Sequence, residues 1–225
     1  HLYAITSHSR DADGDDKPSR EKLVRFRIEG DAVVAPTVVD GLKRALTESH
    51  PVLDAAAKIA DVKQDGGLNI EALEISSDAQ RLLIGFRSPL QDSHAIIATI
   101  ENPSGVFDAG EPPKIASHLA LLDLDGSGIR GMAWIASLAG YLVLSGPASR
   151  ANGPFGLWFW SGKHGAPARR VTVPGLPGFG KAEGICPAVI EGVERIVIVS
   201  DDGNRKQRKS AHFLLLDPGQ LQIAP

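Results

Sequence analysis

Apolar runs recur along this chain at intervals too short to hold helices between them, which predicts strands joined by turns. Three stretches repeat one pattern. Each has a strand opened by a charged or polar residue, a short turn, and a second strand that is almost wholly apolar. They are Asn69 to Ile75 then Arg81 to Arg87, Ile129 to Trp134 then Tyr141 to Gly146, and Ala182 to Ile185 then Arg195 to Asp202. Glu71, Arg130 and Glu183 hold the same place in the three stretches, 59 residues (71 to 130) and 53 residues (130 to 183) apart. A third apolar run follows each pair, at His94 to Ile100, Phe155 to Trp160 and Ala211 to Leu216. A more variable fourth comes at about Leu119 to Leu124, Arg170 to Val173 and Leu221 to Ile223.

Four antiparallel strands recurring in this way predict an all-β fold built from β-propeller blades, with a repeat slightly longer than the roughly 40 to 50 residues of familiar propellers. The predicted blades span about 68–125, 128–174 and 181–225, and residues 1–38 supply the last three strands of an earlier blade whose innermost strand is absent. One insertion, 39–62, breaks the pattern. Apolar residues from Leu42 to Ile59 follow a period near 3.6 and Pro51 suits a first helical turn, so two short helices are expected near residues 41–60. Propellers close with about 4 to 8 blades, so the expectation is an incomplete ring, its amino-terminal blades missing and its end sheets exposed.

Composition narrows the function classes. A net charge of -3 from 24 basic and 27 acidic residues is too even to mark a nucleic-acid or membrane-surface protein. No apolar run reaches the roughly 20 residues of a membrane-crossing helix. A single cysteine, Cys186, excludes an internal disulfide and a multi-cysteine zinc site, and its apolar strand predicts a buried thiol. The chain opens at His1 directly into a strand-like run, so further chain is expected to precede it and its compartment stays open.

Antiparallel pairing sets the start of an innermost strand beside the end of its partner. That geometry gathers Asn69, Glu71, Arg130 and Glu183 with His8, Arg10, Arg87, Ser145, Asp201 and Asp202 at one channel mouth. Carboxylates there, with Glu71, Glu183 and Asp201 as the candidate ligands, suit a hard cation such as calcium, while Arg87 and Arg130 suit a phosphate or carboxylate. The same charges also suit a purely architectural role, pairing with one another where strands end.

Other motifs carry less. Asp123, Asp125 and Ser127 open like a calcium loop, but Trp134 stands where the bidentate Glu belongs, so a tight turn is expected. Asp11, Asp13, Asp15 and Asp16 read as a solvated loop, as does the basic cluster Arg205 to Lys209. Gly175 to Lys181 has phosphate-loop spacing, yet Ala182 replaces the required Ser or Thr and a strand follows. Trp134, Trp158 and Trp160 fit either packing between blades or a sugar-stacking platform.

The phrases Gly67 to Leu73, Gly128 to Met132, Leu144 to Pro147 and Ala182 to Ile185, followed by Ser200 to Gly203, resemble the uncharacterised bacterial family DUF3616. The strand openings are more distantly similar to phytase-related esterase-like propellers, although Ala72 follows Glu71 where those have glycine and Arg130 takes the acidic place in the second repeat. The resemblance implies a propeller whose channel mouth binds a small anionic or metal-bridged ligand. A metal-dependent phosphoester or ester hydrolase and a non-catalytic protein-interaction scaffold are the alternatives. Oligomeric state is left open.

Overall fold

The computed structural model describes residues 1–150 and 153–225, and it consists of four antiparallel sheets with a few short helices. The first sheet holds β1 (Leu2–Ile5), β2 (Leu23–Glu29) and β3 (Ala32–Val39). The second holds β4 (Asn69–Ile75), β5 (Leu82–Gln91), β6 (His94–Ile100) and β7 (Ala120–Leu122). In the third, β8 (Gly128–Ile135), β9 (Gly140–Gly146), β10 (Gly156–Trp160) and β11 (Arg169–Thr172) follow in order. The fourth holds β12 (Ala182–Ile190), β13 (Val193–Ser200) and β14 (Phe213–Leu216). The final strand β15 (Gln222–Ile223) does not extend the fourth sheet; it returns to pair with β11 at the edge of the third.

Side-chain alternation explains why the middle strands read as continuous apolar runs. Successive residues of a strand point to opposite faces, and the second and third sheets are covered on both. Along β5, Leu82, Ile84 and Phe86 enter one core with Ile96 and Ile100, whereas Leu83 enters the next with Ile97, Ile129 and Trp158. Along β9, Tyr141 and Val143 join that second core while Leu142 and Leu144 join a third with Ile196 and Ile198. The fourth sheet has only one covered face. Val189, Val199, Phe213 and Leu215 of its strands are exposed, and so is Cys186, contrary to the buried thiol expected from its apolar neighbours. The first sheet likewise exposes Leu2, Ile28, Val33 and Val38.

Helices α1 (Leu42–Ser49), α2 (Pro51–Ala57) and α3 (Val62–Asp65) fill the interval between the first two sheets, with Leu42, Leu46 and Leu53 fully buried in the first core. A fourth helix, α4 (Pro103–Ala109), interrupts the path from β6 to β7. It has a start and stop that sequence can show, Pro103 at its first turn and Gly110 at φ 68° after its end. The second and third sheets meet where β5 crosses the beginning of β8. A Cβ on Gly128 would lie 1.9 Å from the Arg87 carbonyl oxygen, so only glycine permits this approach. Gly128→Ala is expected to destabilise the protein by about 3 kcal/mol in chemical denaturation. Gly178→Ala, where an added Cβ meets nothing within 4 Å, serves as the neutral control.

The turn after β1 carries an unusual residue. His8 is fully buried, with Nδ1 donating to the Thr6 carbonyl oxygen at 2.8 Å and Nε2 sealed off without a partner. Burial lowers its pKa below the ordinary 6.5. The unfolded chain therefore takes up a proton that the native state resists, so the contribution of neutral His8 is complete above about pH 6.5 and is lost as pH falls below it. Glu71 and Glu74, raised by burial, act in the opposite sense. The informative quantity is thus a difference: stability should fall more steeply from pH 7 to pH 5 in the wild type than in His8→Gln, measured by urea denaturation at each pH.

Candidate functional site

The inner strands β4, β8 and β12 lie side by side, and each presents one ionised side chain to the next. Arg130 of β8 is the centre of the group. Its Nε lies 3.0 Å from Glu71 Oε2 of β4, close enough for an ion pair though not aligned as a hydrogen bond. Its Nη2 donates to Glu183 Oε1 of β12. The guanidinium carbon sits 5.7 Å from the Phe155 ring centroid, a cation–π distance. With its side chain only 8% exposed, Arg130 binds three sheets through charge. Close passage of the strands helps, since Gly131 faces the Glu183 backbone and Gly146 leaves room for the Arg130 stem.

Glu71 is shared further. Its Oε1 accepts from Asn69 Nδ2 at 2.9 Å and from Arg87 Nη1 at 3.4 Å. Burial raises the Glu71 pKa, and the charges of Arg130 and then Arg87 oppose that rise. Arg87, midway along β5, also donates to the Pro147 and Ser149 carbonyl oxygens, at 3.1 and 3.2 Å. It thereby holds the loop after β9. That loop is tied to α3 as well, because Arg150 N–H donates to the Lys63 carbonyl oxygen at 2.8 Å.

These ties enclose a cavity of about 340 Å³ against the start of β4 and the middle of β5. Arg10, Arg20, Lys63, Arg87 and Arg150 line it, against Asp11, Asp61 and Glu71. Most of these charges are occupied. Asp11 is paired with Lys17 and caps its own turn, which holds its pKa down to about 2. Asp61 accepts from Gln64 N–H at the start of α3, and Arg10 pairs with Asp16. Arg20 donates to the Arg10 carbonyl oxygen at 2.8 Å. Among the described residues, the Lys63 ammonium and the Arg150 guanidinium take part in no hydrogen bond or ion pair.

The structure thus joins Asn69, Glu71, Arg87, Arg130 and Glu183 in one network. Asp202 is engaged elsewhere, accepting from the His212 backbone and ring, which lowers its pKa. Asp201 is exposed, and its N–H donates to the Lys181 carbonyl oxygen. Among the described residues, no group of three or more His, Cys, Asp or Glu is placed to hold a metal ion, so the calcium reading gains no support from the geometry. The acidic run at Asp11 and the Asp123 to Ser127 segment form turns closed by their own side chains. Lys63, Arg20 and Arg150 were not legible as site residues, because isolated basic residues in loops carry no periodic signal.

The chain belongs to the family described as a protein of unknown function (DUF3616), whose model matches residues 39–217. The matched span includes the whole charged network. No curated protein matches the chain. No helix is long and apolar enough to cross a membrane. Arg130→Met would leave Glu71 and Glu183 without their shared cation, and removing one partner of a buried pair is costly. Stability should fall by about 3 kcal/mol in denaturant titration, and adding Glu71→Gln to that variant should cost less than the two single changes summed.

Proposed function

We propose that this chain is a ligand-binding β-propeller domain, with blades at about 1–38, 68–125, 128–174 and 181–225, whose cavity beside Glu71 and Arg87 takes a small phosphate- or carboxylate-bearing molecule. The recurrence of antiparallel sheets whose inner strands lie side by side supports the architecture. One observation carries the ligand class: the two ionisable side chains that line the cavity with no partner among the described residues, Lys63 and Arg150, are both cations. An anion entering there meets donors that nothing else satisfies, while Arg87 is already fixed by Glu71 and two carbonyl oxygens. Metal-assisted hydrolysis has weaker support, since Glu71 and Glu183 both engage Arg130.

Titration with inorganic pyrophosphate and with citrate tests this reading, followed by calorimetry and thermal melting. At least one should bind saturably and raise the melting temperature by mass action, which amounts to about 2.7 kcal/mol at a hundredfold excess over Kd. The double variant Lys63→Gln/Arg150→Gln should abolish binding and leave the ligand-free melting temperature unchanged. Saturable binding by neither probe, or unchanged binding in the double variant, would refute it.

A further inference from the structure

At the other end of the same strands, where β4 and β8 finish, lies a second cavity of about 520 Å³. Its chemistry differs. Trp134, Tyr141 and Trp160 crowd one side, with ring centroids 5.0 Å apart for Trp134 and Tyr141 and 5.4 Å for Tyr141 and Trp160. Gly162, at φ 78°, closes over the Tyr141 ring so tightly that an added Cβ would lie 2.6 Å from it. The three tryptophans are not alike. Trp158 spends its indole N–H on Ser145 Oγ at 2.8 Å. Trp160 is only 3% exposed, yet its N–H has no hydrogen-bond partner among the described residues and is not among the sealed polar atoms. Trp134, partly exposed, likewise has an indole N–H with no hydrogen-bond partner among the described residues, its backbone N–H being held by Glu74.

The rest of the lining mixes apolar side chains such as Leu83, Ala116 and Ala120 with polar ones, of which Ser76 and Arg81 are engaged by Asp78 while others are unused. The side chains of Thr99, Glu101, Ser117 and Lys163 take part in no hydrogen bond or ion pair among the described residues, and neither do the His118 and His164 rings, whose centroids lie 5.9 Å apart. These groups include donors only (indole N–H, ammonium), an acceptor only (carboxylate) and groups that do both (hydroxyl, imidazole). A purely apolar occupant would strand them without water. A simple anion would be opposed by Glu101. A hydroxyl both donates and accepts, and the apolar C–H face of a sugar ring covers an aromatic surface while its hydroxyls reach outward.

We infer that this cavity is a carbohydrate-binding site, with Trp134 as its stacking group, the Trp160 indole N–H as a donor, and Glu101, Ser117 and Lys163 as hydroxyl partners. It is separate from the anion cavity and does not depend on it. Cellotriose, maltotriose and chitotriose are the probes, each titrated to millimolar concentration and followed by tryptophan fluorescence and calorimetry. At least one should give saturable binding. Trp134→Phe and Glu101→Gln should each weaken it about tenfold, the size expected for one aromatic contact or one hydrogen bond, and Lys63→Gln/Arg150→Gln should leave it unchanged. Should Trp134→Phe fail to fold, Glu101→Gln decides, because the exposed Glu101 carboxylate holds nothing else in place. Absence of saturable binding for all three sugars, or full affinity in Glu101→Gln, overturns the assignment.

Discussion

A single guanidinium holding carboxylates from two neighbouring sheets is the constraint on which the centre of this protein rests. Arg130 is nearly buried, and a buried cation is tolerable only when its charge is answered. Glu71 and Glu183 answer it from β4 and β12, which fixes the lateral position of three inner strands relative to one another. Apolar packing between sheets is adaptable in register; a charge-to-charge contact is far less so. Two nitrogens, Arg130 Nε and Nη1, make no hydrogen bond among the described residues, so the network is close to balanced in charge without being saturated.

The two ends of the inner strands have consequently become chemically distinct. At the end where β4 starts, ion pairs organise the loops, and the excess of unpaired charge is positive. At the end where β4 finishes, ring packing dominates beside the Arg81–Asp78 pair, and several polar groups around it take part in no hydrogen bond or ion pair among the described residues. Glu74 marks the transition, as a carboxylate raised in pKa by burial and bonded only to backbone N–H groups of Ile75 and Trp134.

Much of the all-β pattern was legible because strands covered on both faces must be apolar at every position, as Leu82 to Phe86 and Tyr141 to Leu144 are. The helices at Leu42–Ser49 and Pro51–Ala57 were legible from their apolar period and Pro51. Cys186 misled for the same reason that the middle strands were clear: apolar sequence signals a strand face but not whether anything covers it. Helix α4 carries no periodic signal since seven residues give too few turns, although Pro103 and Gly110 mark its limits. In the network, the equivalent positions of Glu71, Arg130 and Glu183 were visible from the repeat. Lys63 and Arg150 were not, being brought together by one backbone hydrogen bond across 87 residues (63 to 150).

The return of β15 to β11 has a topological consequence. Chain leaves the third sheet at β11, builds the whole fourth sheet, and ends clasped to the strand it left. The fourth sheet is therefore a tethered loop with both ends moored to one neighbour, and its detachment gains less chain freedom than that of a free terminal segment. The mooring is short, Val171 paired with Ile223 and Thr172 with Gln222, with Ala224 N–H donating to the Arg170 carbonyl oxygen at 2.9 Å. Tension applied to the chain beyond β15 would peel this short clasp first and release an entire layer of the molecule at once.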